Sequence, residues 1–377
     1  MGKELATTLP ASELSDWWDK VRVKVDHMMQ AGWTEAPHAS AAGRYDQLKI
    51  DQWISGFWPG ILWILYDMTG DAKYREAAEP WDERMEQCYL RENHFHHDVG
   101  FQFLPSSVIR YKLTGDPDAR RRGLFAANYL AGRYNIVGQF IRAWPRDQTG
   151  WSIIDTMMNL PLLFWASEES GDPRFGHIAK AHADMVLRTF IRDDGSVHHI
   201  VVFDPETGEV ERFNGGQGFA AESSWSRGQA WALYGMSCAY RYTGEIRYLN
   251  AAKRVAHYFL SALPDDHVAH WDFRAAADLG GEPRDTSAAS CAASGLIDIS
   301  SQVVPEEAEL YRQAAARILR SLSLNYSTLD QPEYEGILLG ATGHKPANTN
   351  VNVSLIYGDY YYVEALAKSK GWSRHIF

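Results

Sequence analysis

The 377-residue chain has only three cysteines, at Cys88, Cys238 and Cys291. An odd number at wide spacings builds neither a disulfide framework nor a zinc cluster. Such usage is expected of a protein kept in a reducing cytoplasm. No apolar run reaches the ~18 residues that a membrane-spanning helix requires. The first residues carry no apolar h-region, so a secretory signal is not expected. Positive charge is also scarce: 37 Lys and Arg stand against 48 Asp and Glu, a net charge of −11. That balance argues against a nucleic-acid-binding face, which needs a basic surface. There is no Gly-x-x-x-x-Gly-Lys-Ser/Thr loop, no Gly-x-Gly-x-x-Gly after a strand and no Gly-x-Ser-x-Gly elbow. Nucleotide-binding and serine-hydrolase readings therefore find no support. No Pro/Ser-rich linker divides the chain. The length exceeds the usual ~100–200 residues of a domain, so two domains or one large ring are both open, and the unbroken pattern favours a single domain over 1–377.

Aromatic residues are abundant: 14 Trp, 19 Tyr and 15 Phe. A large core would account for them, because aromatic burial needs no ligand. A sugar site would too, since flat rings stack on the C–H faces of pyranoses.

A short phrase recurs as Thr69-Gly70-Asp71, Thr114-Gly115-Asp116, Ser170-Gly171-Asp172 and Thr243-Gly244-Glu245. Each follows an aromatic-rich helical stretch and precedes an amphipathic one, at 72–90, 117–133, 173–190 and 246–262. Gly suits the residue after a helix, and the acid (with Pro in two cases) suits the start of the next. Each phrase is thus the turn of a helical hairpin. A fifth pair lies at 286–303 and 306–323, broken at Pro305. Residues 14–30 form a lone opening helix and 357–370 a lone closing one. Twelve helices that alternate between apolar and amphipathic must stack in two layers to bury their faces. The expected fold is all-α, an (α/α)6 barrel of six hairpins in two concentric layers; a bent, open solenoid is the rival. The longest insert, about 192–224, is expected to be irregular, with β character at 198–203 and a turn at 204–209.

In a two-layer ring the inner helices run the same way, so their N-termini meet at one opening. That collects Asp98, Asp155, Asp285, Asp359, Arg227 and several Trp. Asp is also a preferred N-cap, and this bland reading is favoured for Asp285 and Asp359. Capping lowers a carboxyl pKa, the wrong direction for a general acid. Burial against Trp with a second carboxylate nearby raises it. Asp98 and Asp155 are the best such pair. The run His94-Phe95-His96-His97-Asp98 invites a metal, but no second ligand group such as His-Glu-x-x-His accompanies it, and no metal is expected.

Several stretches resemble the unsaturated glucuronyl hydrolases of glycoside hydrolase family 88, in order over roughly 50–366. They are Trp53-x-x-Gly56-Phe57-Trp58-x-Gly60-x-x-Trp63, His96-His97-Asp98-x-Gly100-Phe101 and Ile154-Asp155-x-x-x-Asn159-Leu160-Pro161. Trp225-Ser226-Arg227-Gly228-Gln229-Ala230-Trp231 and Gly358-Asp359-Tyr360-Tyr361-Tyr362-x-Glu364 complete the set. The Arg-Gly-Gln-Ala-Trp run favours this family over the related unsaturated rhamnogalacturonyl hydrolases. The resemblance implies an (α/α)6 barrel that needs no metal or organic cofactor. It implies removal of a 4,5-unsaturated uronic acid from the non-reducing end of oligosaccharides made by polysaccharide lyases. The chemistry implied is hydration of the enol ether rather than hydrolysis through an oxocarbenium ion. By the same resemblance Asp155 is the acid/base, and Asp98 is the second carboxylate that holds ring hydroxyls. His97 and His199 line the mouth and Gln217 is a polar site residue. Trp53, Trp225 and Trp231 are stacking walls, and Arg227 meets an anionic group or polar edge of the sugar. Lys345 and His344, in the loop 342–346, are placed where sulfate on the adjoining sugar is read. Ser55 departs from an Asp in the family pattern, and 214–219 matches loosely. The partner expected is an unsaturated uronyl oligosaccharide, with no membrane.

Two other readings remain open on the residues themselves. One is a sugar epimerase or isomerase that exchanges protons through His97 and His199. The other is an oligosaccharide-binding protein that uses the Trp walls alone.

Overall fold

A computed structural model describes residues 9–144, 148–275 and 283–377. Its helices are α1 (Ala11–Met29), α2 (Phe57–Thr69), α3 (Ala72–Gln87), α4 (Val99–Phe103), α5 (Ile109–Thr114), α6 (Pro117–Ala131) and α7 (Leu160–Ser170). They continue as α8 (Pro173–Thr189), α9 (Ser226–Thr243), α10 (Ile246–Ser261), α11 (Thr286–Ser300), α12 (Pro305–Asn325) and α13 (Ile356–Ser369). A π turn at Leu104–Val108 joins α4 to α5 as one rod. Pro105 lies in that turn, where its missing N–H and its ring break the regular hydrogen-bond ladder. The described residues thus hold the twelve rods that the repeat phrase predicts.

The recurring phrase forms the hairpin turns. Gly70, Gly115, Gly171 and Gly244 end their helices at φ 67–72°, a left-handed conformation that costs glycine little. Asp71, Asp116 and Asp172 then cap the next helix by accepting its first backbone N–H groups.

Helices α2, α4–α5, α7, α9, α11 and α13 form the inner layer. Residues 226–239 of α9 and 356–367 of α13 are buried without interruption, whereas the outer helices bury one stripe. Around the ring α2 packs on the α4–α5 rod, α4 on α7, α7 on α9, α9 on α11, α11 on α13 and α13 on α2. Helix α1 lies outside α13 and supplies its outer partner. The ring is closed, and the open solenoid is excluded. Two motif glycines allow this approach: a Cβ on Gly56 would stand 2.2 Å from Phe101 O, and one on Gly100 2.6 Å from Asn159 Cα.

Among the described residues four small antiparallel sheets decorate one end. They are β1 (Ala36–Ala41) with β2 (Arg44–Leu48), and β3 (Tyr134–Asn135) with β4 (Phe140–Ile141). The others are β5 (Trp151–Ile153), β6 (Ile200–Phe203) and β7 (Val210–Asn214) in one sheet, and β8 (Ala341–His344) with β9 (Thr349–Val353). The insert expected to be irregular is therefore in good part a β-hairpin, β6–β7, paired through β6 to β5. The β-rich 198–203 stretch has found strands on both sides. Ile376 and Phe377 are buried inside the barrel, and the Phe377 ring packs on Phe101, Tyr360 and Tyr361. Among the described residues no helix is long and apolar enough to cross a membrane.

Of the two aspartates read as caps, Asp285 caps α11 through Ser287 N. Asp359 does not cap its helix. It lies in the first turn of α13 and accepts from Tyr45 Oη (2.6 Å), Ile337 N (2.8 Å) and Leu338 N (2.8 Å). One carboxylate thus ties the β1–β2 hairpin and the 337–338 segment to the inner layer. Asp359→Asn replaces one acceptor oxygen with a donor facing these N–H or O–H groups. We expect it to lower stability by about 2–3 kcal/mol, read as a shifted midpoint in urea unfolding.

Candidate active site

Strand β5 delivers Asp155. Ile153 pairs with Ile200, and Ile154 N donates to His199 O at 3.0 Å. The chain then enters a 3-10 turn, Ile154–Met158, that leads into α7. Asp98 stands at the N-terminus of α4 without capping it. The joint between the two is Asn159, whose Nδ2 donates to Asp98 Oδ1 (2.9 Å) and to Asp155 O (3.1 Å). The two carboxylates that the sequence singled out therefore belong to one buried cluster.

Burial governs their ionisation. Asp98 is pushed well above the usual carboxylate range by desolvation and then by the charge of Asp155, against the Asn159 hydrogen bond and Arg133. Asp155 is raised to about 7 by desolvation, with Arg227 opposing. The two titrate as a pair that retains a proton near neutral pH.

Two histidines flank the pair, and burial depresses both: His97 well below its ordinary value and His199 to about 3. Both are neutral. His97 Nδ1 lies 2.8 Å from Ala143 O and so carries the hydrogen. Its Nε2 lies 3.1 Å from Asp98 Oδ1 but is not aligned for a hydrogen bond. His199 Nδ1 lies 2.8 Å from Gly215 O and 3.1 Å from Gln217 N. The shorter contact assigns a hydrogen to Nδ1, which leaves Nε2 as an acceptor 3.8 Å from Asp155 Oδ2. Asp155 Oδ2, His97 Nε2, His199 Nε2 and Trp225 Nε1 are buried without a protein partner. Native structures leave few such atoms unpaired, so four in one cluster, without a partner among the described residues, mark a place for a polar ligand.

The aromatic walls divide. Trp53 is half-buried and packs on Tyr357 at 4.9 Å between ring centroids. Trp225 lies 4.1 Å from the His199 ring. Trp231 is 1% exposed and packs on Phe101 and Tyr361, which puts it in the floor rather than at the surface of a wall. Gln217 Nε2 donates to Gly343 O at 2.8 Å and so ties the β7–α9 connection to β8.

Arg227 is fully buried and spends its Nη atoms on the protein. Nη1 meets Asp285 Oδ2 (2.5 Å) and Thr342 O (2.7 Å), and Nη2 meets Gly343 O (2.8 Å). Its guanidinium lies over Trp225 and Tyr357. These bonds use one of the two Nη2 hydrogens, so they leave a donor for the expected contact with the sugar. They make Arg227 a brace that also supplies positive charge near Asp155. Lys345 is half-buried in the β8–β9 turn, two residues beyond Gly343. The donor atoms of His96, His97 and Asp98 lie within 4.8 Å of one another. His96 Nδ1, however, accepts from Asp98 N, and His97 Nδ1 is held by Ala143, so the cluster is already bonded internally.

Sequence reasoning gave no role to Asn159 or Trp144. Asn159 precedes Leu160-Pro161 and reads as a helix cap. Trp144 lies in a loop without periodicity, and only the fold brings it 5.9 Å from the His97 ring.

The sequence profile described as Glycosyl Hydrolase Family 88 matches residues 22–377. The chain belongs to this family. It is 38% identical over 346 residues to the unsaturated glucuronyl hydrolase of Bacillus sp. (strain GL1), covering 88% of this chain and 90% of that one. It is 35% identical over 340 residues to the unsaturated chondroitin disaccharide hydrolase of Streptococcus agalactiae serotype III (strain NEM316), covering 87% and 84%. The crystal structure of an unsaturated glucuronyl hydrolase from Streptococcus agalactiae superimposes with a TM-score of 0.92 at 33% identity, covering 97% of this chain and 94% of that one. The family 88 fold of this chain is therefore an (α/α)6 barrel, and the protein is a glycoside hydrolase.

Because the Arg227–Asp285 pair is fully buried, removing one partner strands the other charge. Arg227→Leu is expected to cost about 3–5 kcal/mol of stability, measured by chemical denaturation without substrate. A purely substrate-contacting arginine would leave that midpoint unchanged.

Proposed function

We propose that the protein releases a 4,5-unsaturated uronic acid from the non-reducing end of oligosaccharides, with Asp155 as general acid/base and Asp98 as its partner. The observation that carries this reading is the pair itself: a carboxyl that keeps its proton near neutral pH, with Oδ2 unpartnered among the described residues and the packed His199 and Trp225 rings beside it.

The substrate is an enol ether conjugated to a carboxylate. Asp155 gives its proton to C4, and a C4–H bond forms as the C4=C5 π bond is spent. Water adds at C5, and its proton passes to the Asp155 carboxylate. The resulting hemiketal opens by breaking C5–O5, which leaves a ketone at C5. The hemiacetal at C1 then expels the aglycone. The catalyst ends protonated, as it began, and one water is consumed. Proton transfer works best when the acid's pKa lies near the working pH, which the value of about 7 satisfies.

Asp98, held by Asn159, is placed to accept hydrogen bonds from ring hydroxyls. The neutral Nε2 of His97 and His199 offer two further acceptors. Trp53 and Trp225 supply flat faces for the pyranose, and Trp231 supports them from below. Gln217 and Arg227 fix the 342–343 strand at the rim, and Lys345 beside it is positioned to meet an anionic substituent on the next sugar. The whole chain acts as one catalytic unit around this mouth. The three cysteines, all free and buried, support a reducing compartment such as the cytoplasm.

Incubation with an unsaturated glucuronyl disaccharide should remove the ultraviolet absorbance of its conjugated enoate. Asp155→Asn should abolish that loss while the circular dichroism spectrum stays unchanged. Full activity in the variant rejects the assignment. Solvent deuterium entering an intact disaccharide would point instead to an epimerase. In the wild type the acid form is the active one, so kcat/KM should fall as pH rises through about 7. A rate that climbs through that region would contradict an acid role.

A further inference from the structure

Asn159 is fully buried at the end of the 3-10 turn that carries Asp155. Its amide is used completely. Oδ1 accepts from Phe101 N at 2.9 Å, an otherwise unpartnered N–H in the first turn of α4. One Nδ2 hydrogen goes to Asp155 O and the other to Asp98 Oδ1. The orientation of this amide is fixed without reference to Asp98. A flipped amide would put NH2 against the Phe101 N–H and oxygen against the Asp155 carbonyl. Asn159 therefore always presents an N–H to Asp98 Oδ1, whatever Asp98's protonation state.

We propose that Asn159 is a positioning residue that biases the two carboxylates toward separate roles, holding Asp98 as a hydrogen-bond acceptor and drawing the shared proton toward Asp155. A donor aimed at a carboxylate stabilises its anion more than its neutral form. Asp155 Oδ2 receives no such donor among the described residues, and His199 Nε2 beside it is an acceptor; the one hydrogen bond acting on this carboxyl comes from its own backbone N–H. The same amide also ties the N-terminus of α4 to the turn beneath Asp155, so the spacing of the two groups is set by one side chain. This rests on the reading of Asp155 as the acid.

Among the described residues the charged and titratable groups around the pair come from five directions. His96 and His97 face Asp98 from its own loop, and Arg133 from the end of α6 acts on it. Arg227 on α9 acts on Asp155, His199 lies beside it, and Tyr357 on α13 is within electrostatic reach. Substitution of Asn159 leaves all of these in place.

The test is the pH dependence of kcat/KM for Asn159→Ala and for Asn159→Ser, against the wild type, with an unsaturated disaccharide. Without the Nδ2 donor the Asp98 anion is less favoured. Both limbs of the profile should then move to higher pH. At the optimum kcat should fall at least tenfold, because more of the singly protonated pair holds its proton on Asp98. KM should change less than kcat. Thermal melts of each variant check that the protein is folded across the pH range. Limbs that stay within experimental error of the wild type in a folded variant overturn the proposal, even if activity drops. If Asp155→Asn retains activity, the acid assignment itself fails. If Asp155→Asn is dead but the Asn159 limbs do not move, only the role of Asn159 fails.

Discussion

Two carboxylic acids are buried in one cluster joined by Asn159, and much of the surrounding architecture serves that arrangement. Burying an ionised carboxylate is costly, and burying two side by side costs more, so one of them keeps a proton. A surface loop could not impose this, because solvent would screen the pair. The closed ring can, because six inner rods bring their N-termini to one opening and exclude water between them. Asp98 comes from the start of α4 and Asp155 from the turn before α7. Neither segment is near the other in sequence, and the close approach of Gly100 to Asn159 lets them meet.

The pair is bounded by a second electrostatic constraint. Arg227 and Asp285 form a fully buried ion pair that also grips two carbonyls of β8. Its positive end opposes the rise in the Asp155 pKa, holding that group near 7 rather than higher. Its negative end caps α11. The same residue that opposes the Asp155 shift therefore anchors the backbone at 342–343, and the ionisation of Asp155 and the stability of the fold are coupled at Arg227. Asp359 plays a related mechanical part further round the ring, where three donors from separate segments converge on it.

The layout of the helices was legible because it is local physics. Glycine after each buried helix and an acidic cap before the next are short-range signals, and the twelve rods fall close to where they predict. The insert was less legible. Its Ile200–Phe203 segment became a central strand because Trp151–Ile153, from a separate part of the chain, pairs with it. Arg227 was visible as a site residue, yet its guanidinium turned inward to Asp285 and Gly343. Asp359 looked like a cap and is a tie between segments. In each case the partner lies many residues away, and no local pattern names it.

The sequence alone determined the alternation of buried and half-buried helices, their turns, and a short set of acids, histidines and tryptophans at the inner N-termini. Those follow from backbone sterics, capping and hydrophobic periodicity, which act over a few residues. Only the tertiary structure decided that the ring closes, and that Asp98 and Asp155 meet through Asn159. It alone decided that Trp231 lies beneath the site and that Arg227 braces it. Desolvation and charge coupling depend on everything that surrounds a group in space, and that surrounding exists only once the chain has folded.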